Sequence, residues 1–249
     1  MKAKTLATSA LYTALLGVPM AAEAYQAIEV RDGGTIVGRV SFEGAPPAPL
    51  KAAIGKDHAT CGQGHVERDP VRVGAKGELR DAIVFLEKVE KGKPWPAAST
   101  PTTLLDQKNC RFEPYVQVVR HGTDLTIRNS DPVLHNVHPY EHIGKSRRTL
   151  FNLAQPTQGQ TNVMKIEPRR GRVVELSCDA HDWMSGWIYV LDHPYYAVVG
   201  PDGAFALGDV PPGSYKLVAW HPSLGAREQN VTVAAKAKAD VAVRFSAAQ

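Results

Sequence analysis

The sequence predicts an all-β protein built of sandwiches, and three observations carry that. First, 21 glycines and 18 prolines recur at short intervals along the chain. Second, apolar and polar residues between them alternate at the period of two that marks a half-buried strand. Third, no segment shows a long apolar stripe at helical spacing. Runs of strands without helices between them imply sheet packed on sheet.

Residues 1–24 are expected to be a secretory signal peptide. MKAK supplies a positive start, and LATSALYTALLGVPM an apolar stretch too short and broken to span a membrane. Ala22-Glu23-Ala24 then forms an A-x-A cleavage site before Tyr25. The expected mature protein is exported, with a bacterial periplasm as its natural compartment and no membrane insertion.

Residues 25–97 read as an N-terminal β region. In GTIVGRVSFEG, Ile36, Gly38, Val40 and Phe42 alternate with Val37, Arg39, Ser41 and Glu43. VRVGAKGELRDAIVFLEKV predicts two strands joined by a turn from Gly74 to Gly77, and the proline-rich KGKPWPAASTP a linker or edge loop. This region is read as a separate small sandwich packed on its neighbour, although lending strands to that neighbour fits the pattern too.

Residues 98–191 hold the chemistry. In ELSCDAHDWMSGWIYV, Cys178, His181 and Met184 follow one another at intervals of three. Val174, Leu176 and Cys178 alternate with Val173, Glu175 and Ser177, so the cysteine ends a strand on its apolar side. A thiolate, an imidazole and a thioether are the ligands of a trigonal His₂Cys copper site with a weak axial Met. The second imidazole must come from upstream, where RNSDPVLHNVHPY offers His135 or His138 after a strand and a turn. The alternation leaves both open.

Residues 192–249 form the third unit. Turns at Asp202-Gly203 and Pro211-Pro212-Gly213 separate strands whose core candidates are Phe205, Leu207, Tyr215, Leu217 and Trp220. The strand before this unit carries Trp187, Tyr189 and Leu191 on one face and Ile188 and Val190 on the other, so both faces are apolar. One face of such a strand needs a cover, and the third unit is expected to supply it.

Three cysteines in an exported chain leave one over from a pair. With Cys178 committed to metal, Cys61 and Cys110 are expected to form a disulfide, worth about 4 kcal/mol in the chain-entropy view. The rival is a second metal site, since His58 and His65 bracket Cys61.

The ligand segments resemble the cupredoxin (type-1 blue-copper) family, with an amicyanin- or plastocyanin-like site. The matching residues are His135-Asn136 and, far downstream, Cys178, His181, Met184 and Gly186. Ala180 and Asp182 flank His181 where amicyanin-like loops carry prolines, a departure that leaves the ligand set intact. The resemblance implies a cupredoxin-like Greek-key sandwich, one type-1 copper, and His135 rather than His138 as a ligand. It also implies that Asn136 ties the two ligand loops together and that His181 lies nearest the surface to pass the electron. Residues 192–249 resemble the carboxypeptidase regulatory-like, prealbumin-type sandwich, a scaffold that implies no peptidase.

The expected function is electron transfer to a redox partner protein, with a non-redox copper-handling or scaffold role as the alternative. A formal net charge of +4 is too mild to imply nucleic acid. The basic runs Lys145, Arg147, Arg148 and Arg169, Arg170, Arg172 could face an acidic partner. No His-x-His pair occurs for a trinuclear copper cluster, and one cysteine in the loop excludes a binuclear centre. No nucleophile–base set or phosphate loop stands out, so no enzymatic activity is expected. His138 and His142 are the weak candidates for an extra type-2 copper.

Overall fold

The computed structural model describes residues 25–96 and 103–247, so the expected signal peptide lies outside the described residues. The described chain is all-β. In order it forms β1 (Gln26–Ala27), β2 (Gly34–Glu43), β3 (Leu50–Ala53), the one-turn helix α1 (His58–Cys61), β4 (His65–Arg68), β5 (Ile83–Glu87) and β6 (Lys91–Gly92). Then come β7 (Leu104–Lys108), β8 (Arg111–Glu113), β9 (Val116–Arg120), β10 (Asp124–Asn129), β11 (His135–Ile143), β12 (Ser146–Thr149) and β13 (Leu153–Gln155). The rest are β14 (Thr161–Lys165), β15 (Val173–Ser177), β16 (Ser185–Leu191), β17 (Tyr196–Val198), β18 (Ala204–Val210), β19 (Gly213–His221), β20 (Gly225–Val233) and β21 (Lys238–Ser246).

β7 to β16 make two sheets between them. One has the order β14-β10-β7-β8, the other β12-β11-β15-β16-β9, with β13 also paired to β11. The residues that alternate inward from both sheets, among them Leu105, Leu125, Ile127, Val174, Leu176 and Ile188, pack into one buried cluster. This inner sandwich carries the proposed ligands at one end.

A second, outer sandwich is assembled from both ends of the described chain. Its sheets run β17-β5-β19-β20 and β18-β2-β21. β2 lies parallel to β21, from Thr35 opposite Lys238 to Glu43 opposite Ser246. The regions expected at 25–97 and 192–249 as separate units therefore share one core through their described strands. The physical reason shows in β5, whose Ile83, Val84, Phe85 and Leu86 are all buried. A strand apolar on both faces needs neighbours in its sheet and a layer on each side, and the C-terminal strands supply them.

The two sandwiches meet through a third apolar cluster. Ile83 and Phe85 of β5 and Val218 and Trp220 of β19 face Val116, Val118 and Leu191 of the inner sandwich, with Trp187 and Tyr189 packed alongside. Tyr189 lies 4.8 Å from Phe85 and 5.3 Å from Trp220, ring centre to ring centre. The outer apolar face of β16 is thus covered, and N-terminal as well as C-terminal strands cover it.

The expected strand at Val71–Val73 is reduced to a single bridge between Val73 and Leu79, although Gly74 and Gly77 do form the turn. Arg72 is drawn instead into a two-pronged ion pair with Asp81.

One excursion crosses from the outer to the inner sandwich. β3 and β4 pair as a hairpin with α1 between them. Ile54 joins the inner core, with Ala52, Cys61 and Val66 against it. The Cys61–Cys110 disulfide, 49 residues apart, fastens the excursion to the inner sandwich. At its far end, Arg68 donates through Nη1 to the Trp183 carbonyl and the Ser185 hydroxyl, each at 3.2 Å.

Candidate metal centre

Cys178 follows β15 directly, and the alternation of that strand turns it inward. Two turns come next. The His181 N–H donates to the Cys178 carbonyl at 3.2 Å, and the Met184 N–H to the His181 carbonyl at 2.9 Å. Residues three apart are brought to one side of the loop in this way. Gly186 lies within β16. A Cβ there would stand 3.2 Å from Phe112 Cβ and 3.3 Å from a Leu176 methyl, so the glycine serves a close approach of strands.

His135 opens β11. The turn before it is built by Asn129, whose side chain donates to the Val133 and Gln155 carbonyls at 2.8 Å and accepts from the Asp131 N–H at 3.0 Å. Asn136 joins this loop to the cysteine loop. Its Oδ1 accepts from the N–H groups of Asp179 and Ala180 at 2.7 and 3.1 Å, and its own N–H points at Cys178 Sγ, 3.5 Å away.

The result is a triangle of donor atoms. Nδ1 of His135 and Nδ1 of His181 are 2.9 Å apart, and Cys178 Sγ lies 4.0 and 3.8 Å from them. A point equidistant from the three atoms lies about 2.1 Å from each, within the ~2.0–2.3 Å range of metal–nitrogen and metal–sulfur bonds. Met184 is buried in the same apolar cluster as Cys178.

The outer ring nitrogens decide what the triangle wants. His135 Nε2 lies 2.9 Å from Asp131 Oδ2, and His181 Nε2 lies 2.8 Å from Asp57 Oδ2. An ionised carboxylate only accepts, so each Nε2 carries the proton and each Nδ1 presents a lone pair. Two lone pairs and a sulfur facing one another inside an apolar cluster call for a cation. Carboxylate, imidazole and metal in line is the usual way a protein fixes a ligand histidine. The donor set fits copper.

The electrostatics agree with that chemistry. Burial pushes the His135 imidazole toward its neutral form, against the pull of Asp131. Burial also pushes the Cys178 thiol up, offset in part by the N–H groups of Asn136, His181 and Ala180. The free thiol therefore keeps its proton near neutral pH, and a metal binds by displacing it.

The structure brings His135, Cys178 and His181 together and turns the other histidines elsewhere. His138 faces Asp179 at 3.1 Å and Thr149 at 3.0 Å, and His142 faces Glu175 at 2.9 Å. They share no donor cluster among the described residues. Cys61 is consumed by its disulfide, and His58 bonds the Gly62 carbonyl, which removes the second metal site.

One expectation is corrected. His181 does not lie at the surface; it is 0 % exposed, covered by Asp57 and the excursion that carries it. Asp57 and Asp131 are the residues the sequence reading missed. Asp131 had a local signal, an acid four residues before His135 in a turn; Asp57 had none.

Comparison with known proteins finds the following. Residues 169–241 match a family model described as polysaccharide lyase family 4, domain II. No curated protein matches the chain in sequence. Among solved structures, a purple cupredoxin from Nitrosopumilus maritimus is similar at 21% identity, covering 36% of this chain and 99% of that one, with a TM-score of 0.30. Amicyanin from Paracoccus versutus is similar at 15% identity over 43% of this chain and 97% of its own, with a TM-score of 0.31. A copper-containing nitrite reductase from Thermus scotoductus matches at 17% identity over 44% of this chain and 25% of its own, with a TM-score of 0.30. Likenesses this low carry no functional argument.

Proposed function

We propose that this chain is an exported electron carrier in which His135, Cys178, His181 and the Met184 thioether would hold one type-1 copper. The observation that supports it is the buried donor triangle, whose centre lies one bond length from two imidazole nitrogens and a thiol sulfur. Bound there, copper would supply a one-electron couple. The chain does the rest. Asp131 holds His135 in the tautomer that presents Nδ1, Asn136 locks the two loops, and the surrounding apolar cluster excludes water. A cage held so firmly rearranges little when the charge at its centre changes.

No catalytic step is assigned to the chain. Residues 192–249 are read as a carboxypeptidase regulatory-like, prealbumin-type scaffold whose strands pair with those of the N-terminal region. Export after cleavage beyond Ala24 suits a chain with the Cys61–Cys110 disulfide, since such bonds persist in oxidising compartments. A redox partner with an acidic surface would meet Lys145 and Arg147, the latter shared with Glu175 at 3.6 Å; Arg148 is committed to the buried Glu141.

A second reading, a copper-handling or scaffold protein without redox function, is favoured by the burial of His181. An optical and EPR spectrum after addition of Cu(II) tests the first. An intense visible thiolate-to-copper band with narrow hyperfine splitting is expected, and its absence sinks the copper reading. Voltammetry then separates the two roles, since only a carrier needs fast, reversible electron exchange.

A further inference from the structure

The seal over His181 comes from a part of the chain far from the His135 and Cys178 segments. Asp57 stands directly before α1, and its backbone is left-handed, with φ 54° and ψ 36°. Such a conformation is strained for any residue but glycine, although aspartate tolerates it better than most. Strain of this kind persists where the surroundings impose it. Here the surroundings are plain: the Asp57 carboxylate is bonded to His181 Nε2 at 2.8 Å. Cys61, at the other end of the same turn, is bonded to Cys110, and the Cys110 N–H donates at 2.8 Å to Asp131, the carboxylate behind His135. The two outer carboxylates are therefore joined through one helical turn and one disulfide.

We propose that Asp57 is a positioning residue of the metal centre, and that the stapled segment around it closes the His181 edge to water and to small external ligands. This deepens the copper reading above and rests on it. Asp57 fixes the His181 tautomer, so that Nδ1 is offered to the metal and Nε2–H is spent on the carboxylate. The lid is covalently anchored, so it closes whether or not metal is bound.

The test uses the full chain and the variants Asp57→Ala and Asp57→Gly. Glycine relieves the left-handed strain, so a variant that melts no lower than the wild type still reports on positioning. Loss of an outer-shell partner typically costs about 10–100-fold in metal affinity, and that loss is expected in competition titrations of both variants. Added imidazole should alter the visible spectrum of the copper-loaded variants and leave the wild type unchanged. Wild-type copper affinity and resistance to imidazole in both variants would overturn the proposal. A metal-free arm keeps it testable if the chain binds no copper. In ¹⁵N-labelled protein the His181 Nε2–H should exchange slowly in the wild type and rapidly in Asp57→Ala. An unprotected Nε2–H in the metal-free wild type would also overturn the proposal, independently of the fate of the copper reading.

Discussion

The two sandwiches bury four histidines and treat them in opposite ways. In the inner sandwich, His135 and His181 have both ring nitrogens engaged, one on a carboxylate and one in the donor triangle. At the outer sandwich, His193 and His221 each accept one local backbone N–H through Nδ1, and Nε2 has no partner. Burial is the largest cause that lowers both of these to about 4, with the charges of Arg172 and Arg72 adding to it, so they sit neutral as packing pieces. Equal burial thus says nothing about function. A functional imidazole is marked by the group behind it, because a carboxylate fixes which nitrogen is free to act.

The surroundings repeat the contrast. The inner sandwich buries Asp131, Asn136, Gln155 and other polar groups around its site, whereas the outer core is an apolar cluster from Ile36 to Phe245 with His193 and His221 buried at its edge. A buried polar network costs free energy unless each member is satisfied. Around the inner site Asn129, Asp131 and Asn136 are each hydrogen-bonded, which offsets that cost where the ligands converge.

The comparison can be broken most decisively at the sulfur. Cys178→Ser is expected to abolish the visible charge-transfer band altogether while the circular dichroism stays native. A retained wild-type spectrum would remove the centre from this site. His135→Ala should likewise lose copper.

Next in size is the staple. Replacing Cys61 and Cys110 by serine is expected to lower stability by up to about 4 kcal/mol, measured by denaturant unfolding, for a closed loop of 49 residues. Thiol counting on unfolded, metal-free protein should find Cys178 alone free before reduction.

The packing histidines come third. Their folded pKa values lie below the ordinary value of 6.5, so the unfolded chain takes up protons first as pH falls. Their contribution is whole above about pH 6.5 and is lost between there and pH 4, by at most about 3 kcal/mol for each histidine. Unfolding at a series of pH values should show this fall in the wild type and a shallower one in His221→Leu. An unchanged slope would mean that His221 is not held neutral.

The smallest effect is expected at His138→Ala, which should leave copper affinity and spectrum as they are. Its ring is spent on Asp179 and Thr149. Loss of copper in this variant would exchange its role with that of His135.

Local features were legible and distant ones were not. The alternation of β2 and β15, the turns at Asp202-Gly203 and Pro211–Gly213, and the spacing of Cys178, His181 and Met184 all lie within a few residues, where period and turn chemistry act. The pairing of β2 with β21 depends on apolar faces some two hundred residues apart, and alternation does not say which strand lies beside which. Asp57 was invisible for the same reason. A lone aspartate before a four-residue helix has no local pattern, and its role exists only because the excursion folds across to His181. The burial of His181 follows from that crossing and could not be read from the ligand loop.

The parallel pairing of β2 with β21 also sets an order of assembly. The inner sandwich is an insertion: β7 to β16, with the β3–β4 excursion that precedes them, can close without the C-terminal strands. The outer sandwich cannot close until the segment around Lys238 reaches Thr35. Contacts that distant form late. As the chain is made from its N-terminus, the inner sandwich can fold first, while β2 and β5 wait with apolar faces uncovered for β18, β19 and β21. The unit without a site is therefore the one whose folding is slow and exposed to aggregation, and substitutions in β21 should reduce yield before they alter the metal centre.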